Sequence, residues 1–178
     1  SIAGCGAPPK SVPTFAEHVA PIIFKNCSVC HRPGEAGPFP LLSYDDVVRK
    51  AQTIAAITAS RVMPPWPADP GFTHFLGERR LTDTEIRTLQ DWVRGGTPLG
   101  DPSKVPQLPS FPKEPALGTP DLVVKMREPV RIPGDNTDHF MLVKLPYEIP
   151  KDRFVRAIEF VPGNRKLMHH MNAHIVQY

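Results

Sequence analysis

The sequence lacks any apolar run approaching the roughly 20 residues that a membrane-spanning helix requires. It also lacks a basic run. The net charge is +3, with Lys and Arg interspersed among Asp and Glu, which describes a solvated surface and gives no footprint for nucleic acid. Cysteines are few: Cys5, Cys27 and Cys30. An odd count with two at C-x-x-C spacing is not a disulfide framework. No second C-x-x-C is present, and the one H-x₃-H pair, His170 and His174, lies far along the chain from Cys27 and Cys30, so the close ligand spacing of a structural zinc site is missing. A thioredoxin-like dithiol would need a βαβ setting, and the surroundings of Cys27 read as helical.

Proline is what the chain has in excess, 23 residues against a usual share of about 5%. They are scattered, which reads as stiff loops and connections. With 178 residues and 40% hydrophobic content, the chain can build one ordinary domain or two small ones. Ser1-Ile2-Ala3-Gly4-Cys5 resembles the end of a bacterial lipoprotein signal, which would place a lipid on Cys5 and associate the protein with a membrane. A free cysteine near a terminus is the alternative.

Residues 1–100 read as helices joined by long loops. Thr14 and Glu17 have the spacing of a capping box, and Phe15, Val19, Ile22 and Ile23 share a helical face that Pro21 should kink or break. A second helix is expected from Ser43 or Tyr44 to Arg61, with Val47, Val48, Ala51, Ile54 and Ile57 as its stripe and Pro64 and Pro65 beyond its end. A third is capped by Thr82 and Glu85, buries Ile86, Leu89, Trp92 and Val93, and ends at Gly95 and Gly96. Seven prolines between residues 98 and 120 mark a semi-rigid linker, taken as 101–118. From residue 119 to 178 the pattern changes. Segments 121–126, 130–133, 139–145, 154–161 and 167–176 are apolar or alternating, separated by Pro, Gly, Asn and Asp. The expected fold class is therefore α+β in two domains: an all-α domain, then a partial antiparallel β-sandwich.

Cys27-Ser28-Val29-Cys30-His31 is the most specific motif. C-x-x-C-H attaches a c-type haem. Two thiols add to two vinyl groups on one edge of the porphyrin, and the next residue lies under the ring, where an imidazole binds iron. Met63, in Arg61-Val62-Met63-Pro64-Pro65-Trp66, is a candidate for the opposite axial position, because two prolines would hold its thioether in a rigid loop. The alternatives are that Met63 fills a gap in the core, or that His74 is the sixth ligand. His18 is expected to face solvent, His139 to be structural, and Met126, Met141, Met168 and Met171 to be core or sheet residues. His169 and His170 are neighbours in an expected strand, where side chains alternate in direction. They could meet one copper ion if a bulge intervened, with His174 as a further ligand. Otherwise they are histidines hydrogen-bonded in a sheet.

The segments around these motifs resemble a class of bacterial monohaem cytochrome c domains over residues 12–105. The resemblance rests on the Phe15 to Ile23 helix, the Cys27 to His31 motif with Arg32, Pro33 and Gly34, the Met63-Pro64-Pro65-Trp66 loop and the helix running to Gly96. It implies crossing first and last helices, Met63 as distal ligand and Trp66 shielding the haem edge. Residues 119–178 resemble the start of a copper type II, ascorbate-dependent monooxygenase-like domain, through Phe154 to Phe160, Pro162 to Arg165, and His169 and His170. That resemblance implies two copper ligands, His169 and His170, with the remaining ligands lying further along such a domain.

These features point first to a carrier of single electrons with one covalent haem and a β docking module. Its partner would be a redox protein or the rest of a larger polypeptide or complex. The resemblance implies a periplasmic or outer-surface location, since this haem is attached outside the bacterial cytoplasm. Two further expectations are a fragment of a haem-copper monooxygenase and an accessory subunit of a membrane-associated redox complex.

Overall fold

The computed structural model describes residues 11–111, 117–135, 137–168, 171–172 and 174, so Cys5, His169 and His170 lie outside the described residues. The chain divides into two units, Ser1–Phe111 with Pro162–Tyr178, and Pro112–Val161.

The first unit is helical. It opens with a π-helical turn, Phe15–Val19, which passes directly into helix α1, Ala20–Asn26. Pro21 sits in the first turn of α1, where a missing N–H costs nothing, so it marks the junction between the two helical forms. The expected capping box at Thr14 and Glu17 does not form. The Phe15 and Ala16 N–H groups of this first turn bond to the Pro98 and Leu99 carbonyls at 2.8 and 3.0 Å. The Thr14 N–H instead donates to His18 Nδ1 (3.1 Å), and Glu17 accepts from Lys104 Nζ (2.6 Å).

The second expected helix is two. Helix α2, Tyr44–Val48, is capped by the Ser43 hydroxyl, which accepts from Asp46 N–H at 3.2 Å. Asp46 reciprocates by accepting from the Leu42 N–H. The chain tightens at Lys50, whose N–H bonds to Val47 C=O, and restarts as α3, Ala51–Ala59. The buried stripe runs through both pieces: Val47, Ala51, Ile54 and Thr58. Helix α4, Asp83–Arg94, begins in the Thr82/Glu85 capping box and buries Ile86, Leu89 and Trp92, while Val93, expected on the same face, is half-buried. Gly95 is its C-cap.

Helix α4 packs on α3 and on the π-helical turn, so the first and last helical segments of the unit meet. Phe15 lies at the junction, edge-on to Phe24 and Tyr44 with ring centroids 6.2 and 5.3 Å away. The segment after α4 closes the core with its carbonyls. Trp92 Nε1 donates to Pro98 C=O (3.0 Å), and the Tyr44 hydroxyl donates to Thr97 C=O (2.9 Å). A short 3₁₀ turn, Pro102–Lys104, packs against the π-helical turn.

The expected β-sandwich is not present. The described residues contain helices and turns but no strand, and segments 121–126, 130–133, 139–145 and 154–161 form no ladder. Of residues 117–161 that are described, none is buried, and only Val124 and Ile132 are half-buried. Met126, Met141, Met168 and Met171 are likewise exposed, not core or sheet residues. Alternation prepares a sheet face, but a ladder also needs a neighbouring strand to accept and donate along its whole length. Among the described residues no such neighbour is supplied.

Candidate functional site

Helix α1 runs directly into the C-x-x-C-H motif. The Cys27 and Ser28 N–H groups both bond to Ile23 C=O, and the Cys30 and His31 N–H groups both return to Cys27 C=O at 3.1 and 2.9 Å. This tight turn gathers both thiols and the imidazole within five residues of hydrogen-bonded backbone. Ser28 is fully buried beneath it, and its hydroxyl donates to Leu41 C=O at 2.6 Å.

A loop from Arg32 to Leu42 wraps around the motif. The Gly37 N–H bonds to Cys30 C=O, and the Leu41 N–H bonds to His31 C=O, each at 2.9 Å. A Cβ on Gly37 would lie 2.6 Å from Cys30 O and 2.8 Å from His31 Cα, so only glycine fits there. Arg32 tightens the start of the loop by donating to Val29 C=O and to Glu35 (2.8 Å) and by lying over the Phe111 ring. Arg165 approaches the same Glu35 at 4.0 Å.

The loop also sets the imidazole. His31 Nδ1 lies 3.0 Å from Phe39 C=O. A carbonyl can only accept, so Nδ1 carries the proton and Nε2 presents a lone pair. Orientation of a metal-binding histidine by a backbone carbonyl on its other nitrogen is the usual arrangement at a metal. The Phe39 ring packs against the imidazole at 4.8 Å.

Cys27 and Cys30 are both free thiols. Burial pushes the Cys27 thiol up to about 12, and the neighbouring Cys30 adds to the rise. A thiolate for zinc or for disulfide exchange is favoured by the opposite shift. A thioether carries no such charge, so burial is no obstacle to it.

Met63 and Trp66 line one concavity, together with Thr58, Arg61, Pro64, Arg80, Leu81 and Ile86. The peptide of Arg79 and Arg80 connects this concavity to the motif: Arg79 Nη1 points at Cys30 Sγ (3.8 Å), while Arg80 lines the wall beside Met63. Two adjacent residues thus reach both halves of the sequence-derived site. Trp66 Nε1 is buried, with no hydrogen-bond partner among the described residues. A buried donor left unpaired is costly and calls for an acceptor. The Met63 loop and the following segment carry exposed apolar side chains: Val62, Met63, Phe72, Phe75 and Leu76 are 55%, 38%, 89%, 52% and 105% exposed. Phe75 also packs edge-on against Trp66.

These residues fit a covalent porphyrin. It would offer a flat apolar surface to Met63 and Phe75, and propionates to the orphaned Trp66 N–H and the Arg80 guanidinium. The other sequence candidates are not brought to this site. His74 is exposed and pairs with Glu78 (2.9 Å). His18 faces solvent, as expected, apart from its bond with Thr14. His139 pairs with Asp135 in the second unit, and His174 is exposed. No cluster of three His, Cys, Asp or Glu residues able to hold a metal ion occurs among the described residues, and the copper candidates His169 and His170 fall outside them. No helix among the described residues is long and apolar enough to cross a membrane.

Sequence reading missed Ser28, Gly37, Phe39, Arg79 and Arg80. Gly37 carried a signal, a glycine a few residues after the motif, but its reason is a backbone approach that no local pattern encodes. Comparison with protein-family models, curated proteins and solved structures finds no match to this chain.

Proposed function

We propose that the chain is a c-type cytochrome that carries single electrons through one covalent haem, held by Cys27, Cys30 and His31 and capped by Met63. The observation that carries the reading is the His31 ring. Its Nδ1 is committed to Phe39 C=O, which aims the Nε2 lone pair away from the loop, beside two free thiols on the same turn.

When bound, the haem supplies one-electron exchange between ferrous and ferric iron. The chain's own residues do the rest. Cys27 and Cys30 fix the porphyrin edge against the end of α1. His31 would supply a nitrogen and Met63 a thioether sulfur to the iron, a pair that raises the reduction potential. With His31 and Met63 both holding the iron, the bound haem would be suited to electron transfer. Trp66 and Arg80, which line the same concavity, would hold propionate, and Phe75 packs edge-on against Trp66. The partner is then a redox protein that approaches the exposed edge. Since this haem is attached outside the bacterial cytoplasm, the proposal carries an extracytoplasmic location with it.

The test is expression with a c-type attachment system, followed by measurement of iron and copper per chain and of haem that resists acid-acetone extraction. One iron and one non-extractable haem are expected, both lost in Cys27→Ala with Cys30→Ala. In Met63→Ala the haem stays but the sulfur-to-ferric-iron charge-transfer band disappears. A chain that takes no haem under these conditions ends the proposal.

A further inference from the structure

Arg61 stands at the end of α3, two residues before Met63, and has a conformation that side chains disfavour. Its φ is +57°, the left-handed region where helices usually place glycine. The turn that follows is firmly closed: the Arg61 N–H bonds to Thr58 C=O, and the Val62 and Met63 N–H groups both bond to Ile57 C=O at 3.1 and 3.3 Å. A glycine would make this turn more readily, so the arginine side chain needs its own explanation.

That side chain crosses to the other wall of the concavity. Nη1 donates to Leu81 C=O at 3.1 Å, and Nη2 pairs with Asp83, the first residue of α4. Leu81 is 2% exposed and packs in the core. Arg61 therefore joins the backbone that presents Met63 to a point that cannot move without disturbing the core. Both anchors lie within three residues of Arg80, which lines the same concavity.

We propose that Arg61 is a positioning residue. It latches the Met63 loop to the head of α4 and so sets how readily the Met63 sulfur leaves the iron. The inference rests on the cytochrome reading above. The latch resists opening of the loop, and an opened loop exposes the iron to an outside ligand. A ligand that competes with Met63 thus reports the latch directly.

The experiment is imidazole titration of the ferric holoprotein, alongside the sulfur-to-iron charge-transfer band and thermal melting. Losing a charged donor to a buried carbonyl should tighten imidazole binding about tenfold in Arg61→Gln. Arg61→Lys, which keeps the charge but loses the fork, should restore part of the wild-type resistance. Asp83→Asn keeps the Leu81 bond and loses only an exposed pair, so a change of about twofold is expected. Unchanged imidazole affinity in Arg61→Gln overturns the latch, and so does a lower melting temperature without a change in affinity. If Arg61→Gln does not fold, Asp83→Asn decides, and an affinity equal to wild type overturns the latch. A wild-type protein that attaches haem but lacks the charge-transfer band removes Met63 as ligand, and the latch falls with it. Haem attachment itself is read separately.

Discussion

In residues 15–54, Phe15, Val19, Ile23 and Val47 are 1% exposed or less, whereas in residues 117–161 Phe140 and Phe154 stand 95% and 107% exposed. Both regions are rich in apolar residues, so hydrophobic content does not separate them. The difference lies in where the backbone finds its hydrogen bonds. Helices α1 to α4 satisfy their N–H and C=O groups internally, so each needs only another apolar stripe, and short loops bring one. An alternating segment satisfies its backbone only across to a neighbour. The polar contacts of residues 117–161 are instead side-chain ones, such as the Leu117 N–H to Glu159 and His139 to Asp135.

The comparison breaks most visibly under truncation of large aromatics. Trp92 is fully buried and ties α4 to Pro98, so Trp92→Ala should lose about 3–5 kcal/mol of unfolding free energy. Phe154→Ala should change it by less than about 0.5 kcal/mol, because the ring has no buried surface to lose. Urea unfolding of both variants checks this. A Phe154→Ala loss comparable to that of Trp92→Ala would show that residues 117–161 hold a core of their own.

How much was legible follows the same division. The α4 capping box, its buried face and its glycine stop could be read because each depends on residues within four positions. The C-x-x-C-H turn at the end of α1 was legible for the same reason. The Thr14 cap failed because Glu17, which would accept from the Thr14 N–H, accepts from Lys104, 87 positions away, and His18 takes that N–H instead. The break at Lys50 was hidden because Val47, Ala51 and Ile54 keep helical spacing across it. At the site, Cys27, Cys30 and His31 declare themselves by spacing. Phe39, Arg79 and Arg80 act through a carbonyl or a long side chain, and no periodicity marks either.

Ser28 sharpens the comparison inside the motif. Between the two cysteines almost any residue would satisfy the spacing, yet this hydroxyl is buried and bonds to Leu41 C=O. Ser28→Ala leaves that carbonyl short of a donor and should cost about 1–3 kcal/mol. Since Leu41 also anchors the loop to His31 C=O, the cytochrome proposal requires haem yield to fall with stability. Thermal melting and haem per chain, measured together, test both. A smaller effect belongs to Thr82→Ala, which removes a cap at the exposed start of α4 and should cost about 1 kcal/mol. If Thr82→Ala matched Ser28→Ala, local capping would matter as much as buried closure.

The smallest expected effect contrasts one ion pair in each region. Lys104 bonds to Glu17 across 87 positions, joining the 3₁₀ turn to the π-helical turn. The hydrogen bond and charge of Glu17 raise the Lys104 ammonium above its ordinary value of 10.5. A raised folded-state value means that the stabilisation is complete below pH 10.5 and is lost as pH climbs through the higher folded value. Asp135 is the mirror case. The His139 hydrogen bond holds its carboxyl below 3.8, so its contribution is present above that pH and is lost as pH falls through the lower folded value. Its partner is only four residues away, so breaking the pair opens a turn and separates no elements. The melting temperature of Lys104→Met should therefore lie slightly below wild type at pH 8 and converge with it in strong alkali. Asp135→Asn should lie only marginally below wild type above pH 3.8 and match it in stronger acid. Equal, pH-dependent losses in both variants would mean that the turn at Asp135 carries long-range structure as the Glu17 contact does.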